Sequence, residues 1–170
     1  YNATLHPMTA DLSPATGHAV TGRVLALANT SGKVAGSAFT VIGCDVLING
    51  EVVATTGADG VFTIPSLAAG TYTATLSYAY GYDRDIKITV ADGDVDLGTY
   101  GMVVCNFKKD SAINGTDFNV YKRCTGKSKS KSDSTYNGAC DFNHDGAVNG
   151  TDYNIYKAFS GKMLSAEIYN

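Results

Sequence analysis

Residues 140–162 read CDFNHDGAVNGTDYNIYKAFSGK, and a looser copy, CNFKKDSAINGTDFNVYKRCTGK, occupies residues 105–127. Laid over each other without a gap, the two agree at 13 of 23 positions, including Phe107/Phe142, Asp110/Asp145, the run Asn114 to Asp117 against Asn149 to Asp152, and Tyr121-Lys122 against Tyr156-Lys157. Such agreement at a fixed offset marks a tandem duplication, and the rest of the chain is read outward from it.

In the second copy, oxygen-bearing side chains recur at Asp141, Asn143, Asp145, Asn149 and Asp152. These are positions 1, 3, 5, 9 and 12 of a twelve-residue loop with Gly146 at position 6, the spacing of a calcium loop. A hard cation takes roughly six to eight oxygens at about 2.3–2.6 Å, and alternate residues converge on one point only where the chain curls sharply, which a glycine permits. The carbonyl of Ala147 supplies a backbone ligand at position 7, and Val148 at position 8 is the apolar residue through which paired loops would pack. A solvated Asn/Asp-rich turn is the plainer alternative, and the five-fold match around a central glycine disfavours it.

The first copy departs from this pattern. Asn106 stands at position 1, Lys108 at position 3 and Ser111 at position 6, while Asp110, Ala112, Asn114 and Asp117 keep their places. The formal ligand charge falls from −3 to −2, and an ammonium stands where an oxygen should be. The spacing therefore predicts one calcium ion in loop 2 and a weakened site in loop 1. There, either Lys108 swings outward and the backbone adapts, or the lysine replaces the ion by pairing with Asp110 or Asp117.

Each loop runs into a short amphipathic helix. Phe118, Tyr121 and Cys124 beside Val120, and Tyr153, Ile155, Tyr156 and Phe159, fall at helical spacing, and Gly126 and Gly161 sit where a helix terminates. What precedes the loops is not helical: Thr99 to Val104 reads as a strand, and the Ser/Lys tract Lys127 to Ser134 is too polar to hold an incoming helix. The pattern is a half EF-hand used twice.

The motif D-x-N-x-D-G-x-V-N-G-x-D with one trailing helix, in two copies and ending in Asp152, resembles the dockerin module of cellulosomes over residues 105 to 162. The resemblance implies a non-catalytic plug that binds a cohesin module of a scaffold or cell-surface anchoring protein, outside the cell. It also implies that partner choice resides at Gly115, Thr116, Lys122, Arg123 and Lys127 in the first copy and at Gly150, Thr151, Lys157, Ala158 and Lys162 in the second. Near-identity of the two sets would allow binding in two orientations, with Arg123 against Ala158 breaking the symmetry. The two-fold arrangement of such modules would bring Cys140 close to Cys124, so a disulfide between them is one reading. Four free, mostly buried thiols are the other.

Ahead of the repeats the chain changes character. Residues 1–104 carry 4 Lys+Arg against 9 Asp+Glu, and residues 105–170 carry 9 against 7. Short strands are predicted at Val20–Leu27, Phe39–Ile48, Glu51–Thr56, Val61–Ile64, Thr71–Tyr78, Asp85–Val90 and Val95–Val104, separated by turn signals such as Asn49-Gly50 and Asp59-Gly60. Alternation is plain where Tyr72, Ala74, Leu76 and Tyr78 share one face, as do Ile86, Ile88 and Val90, and Cys44, Val46 and Ile48. Seven such strands predict a small antiparallel sandwich. The run from Gly57 to Ala74 resembles the carboxypeptidase regulatory-like family, a transthyretin-type, immunoglobulin-like sandwich, and a module of this kind before a dockerin is similar to an X module. The expected organisation is therefore multi-domain: a lead-in at 1–18, an all-β sandwich at 19–104 and a small all-α dockerin at 105–170, packed together because no linker separates Val104 from Cys105.

The 170 residues, 44% of them apolar, suffice for a core. The cysteines, at 44, 105, 124 and 140, contain no CxxC pair, which argues against thiolate zinc. No apolar run reaches the roughly 18 residues of a membrane span, the basic excess of the second half is too small for nucleic acid, and no nucleophile adjoins a histidine. Tyr1 to His6 lacks a signal-peptide pattern, so the chain reads as a C-terminal portion of a longer secreted protein, monomeric alone. The competing reading is a calcium-stiffened cell-surface or carbohydrate-binding module, with Tyr80, Tyr82 and Tyr100 forming an exposed aromatic strip.

Overall fold

The computed structural model describes residues 16–131 and 133–170. The lead-in expected at 1–18 lies outside the described residues as far as residue 15, and the first strand already begins at His18. The strands are β1 (His18–Ala26), β2 (Asp45–Ile48), β3 (Glu51–Thr55), β4 (Val61–Leu67), β5 (Gly70–Ser77), β6 (Arg84–Val90) and β7 (Val95–Met102). They are followed by helices α1 (Gly115–Cys124) and α2 (Gly150–Phe159), with single 3-10 turns at Lys129–Lys131, Gly138–Cys140 and Ala166–Tyr169. No described helix is long and apolar enough to cross a membrane.

The strands form two sheets, ordered β4-β1-β7 and β3-β2-β5-β6. Period-two alternation places Val20, Val24, Phe62 and Ile64 of the first sheet, and Val46, Ile48, Ala74, Leu76, Ile86, Ile88 and Val90 of the second, in one buried core. Fully burying a side chain of this size stabilises by about 1.5–3 kcal/mol. Gly22 makes room for the largest of them: a Cβ there would lie 2.5 Å from the Phe62 ring.

Three details differ from the alternation pattern. β1 and β7 run parallel, pairing Val20 with Val95 and Ala26 with Met102, so the sandwich is mixed rather than antiparallel. Side-chain alternation reports which face is buried and says nothing of a neighbour's direction. The predicted strand Phe39–Ile48 is cut to Asp45–Ile48, because Gly43 takes φ 74° and the buried Thr56 hydroxyl donates to Val41 O and accepts from Cys44 N–H, folding the segment on itself. β4 continues through Pro65, which an edge strand tolerates because a missing N–H there breaks no central ladder.

The parallel β1–β7 pair also fixes where the repeats begin. β7 ends beside Ala26, and the chain then runs through Met102, Val103, Val104, Cys105 and Asn106, all buried. Backbone bonds fasten this run to the turn after β5: Tyr82 N–H donates to Val103 O at 3.2 Å and Asn106 N–H to Tyr80 O at 2.9 Å. One buried cluster continues from the sheets into Ile113, Tyr121, Phe142, Val148 and Phe159 of the repeats.

Candidate functional site

The two helices start in the same way because the repeated Asn-Gly-Thr-Asp dictates it. Asn114 and Asn149 cap them, each side-chain oxygen accepting from the N–H two residues on, Thr116 or Thr151, at 2.8 Å. Asp117 and Asp152, both fully buried, close the capping boxes by accepting from the N–H of Asn114 at 3.0 Å and Asn149 at 2.9 Å. Their second oxygens reach back to the loop entrance, to the N–H of Lys108 at 3.1 Å and Phe142 at 2.7 Å. Position 12 thus ties the beginning of each loop to the beginning of its helix.

In loop 2, Asp141 accepts from Gly146 N–H at 2.8 Å, Asp145 N–H at 3.2 Å and the Tyr136 hydroxyl at 2.7 Å. Gly146 takes φ 88°, the left-handed curl required at position 6. Asp145 accepts from Ala147 N–H at 2.9 Å and faces the amide nitrogens of Asn143 at 2.9 Å and Asn149 at 3.4 Å. The Asn143 amide holds the Asp145 carboxyl below its ordinary range, whereas burial pushes Asp152 up against the pull of its backbone donors. No three His, Cys, Asp or Glu side chains among the described residues make a metal cluster by themselves, so a cation here needs amide and carbonyl oxygens as well. In its chemistry the donor set suits calcium: Asp141, Asp145 and Asp152 keep free lone pairs, and the Ala147 carbonyl and the Asn143 oxygen, once that amide turns over, would complete it. Asn149 gives its oxygen to the Thr151 N–H of the helix cap and turns its amide nitrogen to Asp145 and the Ala147 carbonyl.

Loop 1 offers the same ion a poorer set. Asn106 uses both ends of its amide on one neighbour, donating to Asp110 O at 2.7 Å and accepting from Asp110 N–H at 3.1 Å. Ser111 lacks the positive φ of Gly146. Lys108 is exposed, and among the described residues it makes no ion pair with Asp110 or Asp117. Of the two alternatives for this lysine, the structure shows it turned outward.

Position 4 carries a signal that spacing alone does not reveal. Lys109 and His144 occupy the same place in the two copies, both in the left-handed region at φ 56° and 57°, and both grip the sandwich. The Lys109 ammonium donates to Tyr78 O at 2.6 Å, Gly81 O at 3.1 Å and the Asp83 carboxylate. His144 donates from Nε2 to Thr40 O at 2.8 Å. Between them Phe107 and Phe142, again one repeat position, stack at 6.5 Å, and Tyr80 packs on Phe107 at 6.0 Å. At the other edge Tyr169 donates to Tyr82 O, and the Arg84 guanidinium lies over the Tyr169 and Tyr100 rings at 4.9 and 5.1 Å. Tyr82 and Tyr100 are half-buried in the junction, whereas Tyr80, packed on Phe107, stays 38% exposed, so the three do not form one continuous exposed strip.

The helices relate to each other by a pseudo-two-fold axis. Tyr121 OH donates to Asn149 O at 3.2 Å and Tyr156 OH to Asn114 O at 3.4 Å. The loops do not pair with each other through Ile113 and Val148, as an EF-hand pattern predicts. Each instead bonds the segment after the other helix: Ile113 N–H to Lys162 O at 2.9 Å, Val148 N–H to Lys127 O at 3.0 Å. Without incoming helices, position 8 finds its ladder partner at the opposite helix end. Cys124 and Cys140 form a disulfide, with Cα atoms 6.8 Å apart, and Cys44 and Cys105 are free and buried. Phe159 stands where the symmetry would place a partner for Cys105, so only one half is stapled. Gly115, Thr116, Lys122, Arg123, Gly150, Thr151, Lys157 and Lys162 are exposed, and Lys127 and Ala158 half-buried.

Residues 107–159 match the family model of the dockerin type I domain. Two solved structures, a C-terminal and an N-terminal interface mutant of a type II cohesin-X-dockerin complex from Acetivibrio cellulolyticus, are each similar at 28% identity with a TM-score of 0.63, covering 86% of this chain and 97% of theirs. No curated protein matches the chain. The chain thus carries a dockerin type I domain at residues 107–159, and the two-sheet module ahead of it fits the X-dockerin arrangement of those structures.

Proposed function

We propose that this chain is a non-catalytic, calcium-dependent module that docks a secreted protein onto a cohesin of a cellulosome scaffold or cell-surface anchoring protein. The observation that carries the reading is the exposure of both helix faces on the side the sandwich leaves free, with Thr116 and Thr151, Lys122 and Lys157 at matching places. Small Gly-Thr pairs at the helix starts allow close backbone approach, and the cations reach carboxylates at a partner's rim. The two faces are alike enough for a cohesin to bind in either of two orientations, and Arg123 against Ala158 favours one.

Asp141, Asn143, Asp145, Ala147, Asn149 and Asp152 would hold calcium through their oxygens, and the ion would supply the positive charge that draws the loop together. The chain's own residues do the remainder: Asp152 hands the order of the loop to the first turn of α2, and Tyr121, bonded to Asn149 O, passes it to α1. Loop 1, with Asn106, Asp110, Ala112, Asn114 and Asp117, is the weaker site and keeps its shape by internal bonds and by Lys109. The sandwich, of transthyretin and immunoglobulin-like type, acts as a stabilising spacer through the Lys109, His144 and Tyr169 contacts.

The test is a binding screen of the whole chain against type I and type II cohesins, in calcium and then in excess chelator. Saturable binding that is lost on chelation is expected. Binding of equal strength in both conditions would remove calcium from the account, and no binding to either class would remove the cohesin.

A further inference from the structure

The helix pair carries four aromatic rings in a row. Tyr121 and Tyr156 stack face to face at 5.3 Å, 14° from parallel, and are buried. Phe118 flanks this pair 5.7 Å from Tyr156, and Tyr153 flanks it 6.1 Å from Tyr121. The inner rings hold the helices together, whereas the outer two are exposed by 38% and 42%. Phe118 and Tyr153 are the same position of the two copies, immediately after the buried aspartate, so the duplication places one exposed ring on each helix. They face a shared cleft of about 470 Å³ with Tyr156 among its walls and the glycines Gly115 and Gly161 beside it. Neither ring belongs to the positions to which the dockerin resemblance assigns partner choice.

Charge decides what fits there. Every exposed charged side chain on α1 and α2 is a cation, Lys122, Arg123 and Lys157, because the only carboxylates, Asp117 and Asp152, are fully buried. Lys162 continues the cationic fringe beyond α2. A second copy of this chain would set lysine against lysine across the cleft, which disfavours self-association. An occupant with an apolar centre and an acidic rim satisfies both the rings and the fringe, and partly exposed aromatics beside such a cleft are the usual anchors of an interface.

Resting on the docking reading above, we infer that Phe118 and Tyr153 are the two apolar anchors of the cohesin interface, and that they receive an apolar side chain of the cohesin sheet bordered by carboxylates. The anchors fix affinity from the centre of the face, and the lysines fix the rate of encounter from its edge.

The experiment measures the affinity of the whole chain, in calcium, for the cohesin that binds best, using Phe118→Ala, Tyr153→Ala and the double variant. Phe118→Tyr and Tyr153→Phe serve as conservative replacements, and calcium binding by each variant checks the fold. Each alanine is expected to weaken binding by about thirtyfold and the pair to abolish it, the conservative variants retaining it. Raising salt should slow association in all of them alike. Should the double variant bind calcium and cohesin as the wild type does, the inference is overturned while docking stands. Should the wild type bind no cohesin, the docking reading fails and takes the anchors with it. Should the wild type dimerise and Phe118→Ala make it monomeric, the occupant is a second copy and the inference is overturned.

Discussion

Asp152→Ala is expected to abolish the effect of calcium on stability, whereas Asp117→Ala, the same change in the other copy, is expected to leave that effect whole. Both carboxylates are fully buried and each accepts two backbone N–H groups. Removing either therefore strands two donors, a cost of about 3 kcal/mol in chelator for each variant. The difference appears when calcium is added. At a hundred times its dissociation constant, an ion bound only to the native state stabilises by about 2.7 kcal/mol. Wild type and Asp117→Ala should show that gain in urea unfolding and Asp152→Ala should not, because loop 1 already lacks the oxygen at position 3 and the glycine at position 6. A gain lost in Asp117→Ala would mean that loop 1 holds the ion.

Lys109→Met is expected to destabilise the chain by about 2 kcal/mol and to loosen the junction between the two modules. Its ammonium takes two carbonyls and a carboxylate of the sandwich, each a charge-assisted bond. The side chain is 37% exposed, so water recovers part of what the contacts contribute, and the full sum does not apply. Methionine keeps the length and removes only the donors. Amide exchange at Tyr78–Asp83 and in loop 1 should quicken, while loop 2 keeps its calcium. His144→Ala, with one bond to Thr40 O, should cost about 1 kcal/mol. Equal stability of wild type and Lys109→Met would reduce the Lys109 contacts to a surface ornament without energetic weight.

The parts of this molecule that repeat were legible before any coordinates. The Asn-Gly-Thr-Asp box writes its own geometry, since the cap, the buried aspartate and the following helix all lie within four residues. Alternation likewise placed Cys44, Val46 and Ile48, and Ile86, Ile88 and Val90, on their inward faces. What stayed hidden depends on partners distant in the chain. The direction of β7 against β1 is one case, and the ladder from Ile113 to Lys162, which displaces the expected pairing of the loops, is another. Asn149 is legible as an oxygen donor, but its cap bond to the Thr151 N–H at 2.8 Å depends on the helix that follows it. Lys109 and His144 do carry a signal in the sequence. They are polar residues at one position of a repeated loop that no ligand pattern uses, the mark of a contact made elsewhere. Tyr82 and Tyr100 look available in sequence because the ring and cation that cover them come from Tyr169 and Arg84, while Tyr80 keeps part of its exposure beside Phe107.

The central claim is that the paired helices meet the partner and the sandwich does not. Amide hydrogen exchange of the whole chain, free and bound to its cohesin in calcium, measures this directly. Protection gathered at 115–127 and 150–162, with the β3 and β4 edges of the sandwich unchanged, is the expected result. Protection on those sheet edges, with both helices exchanging as in the free chain, would contradict it.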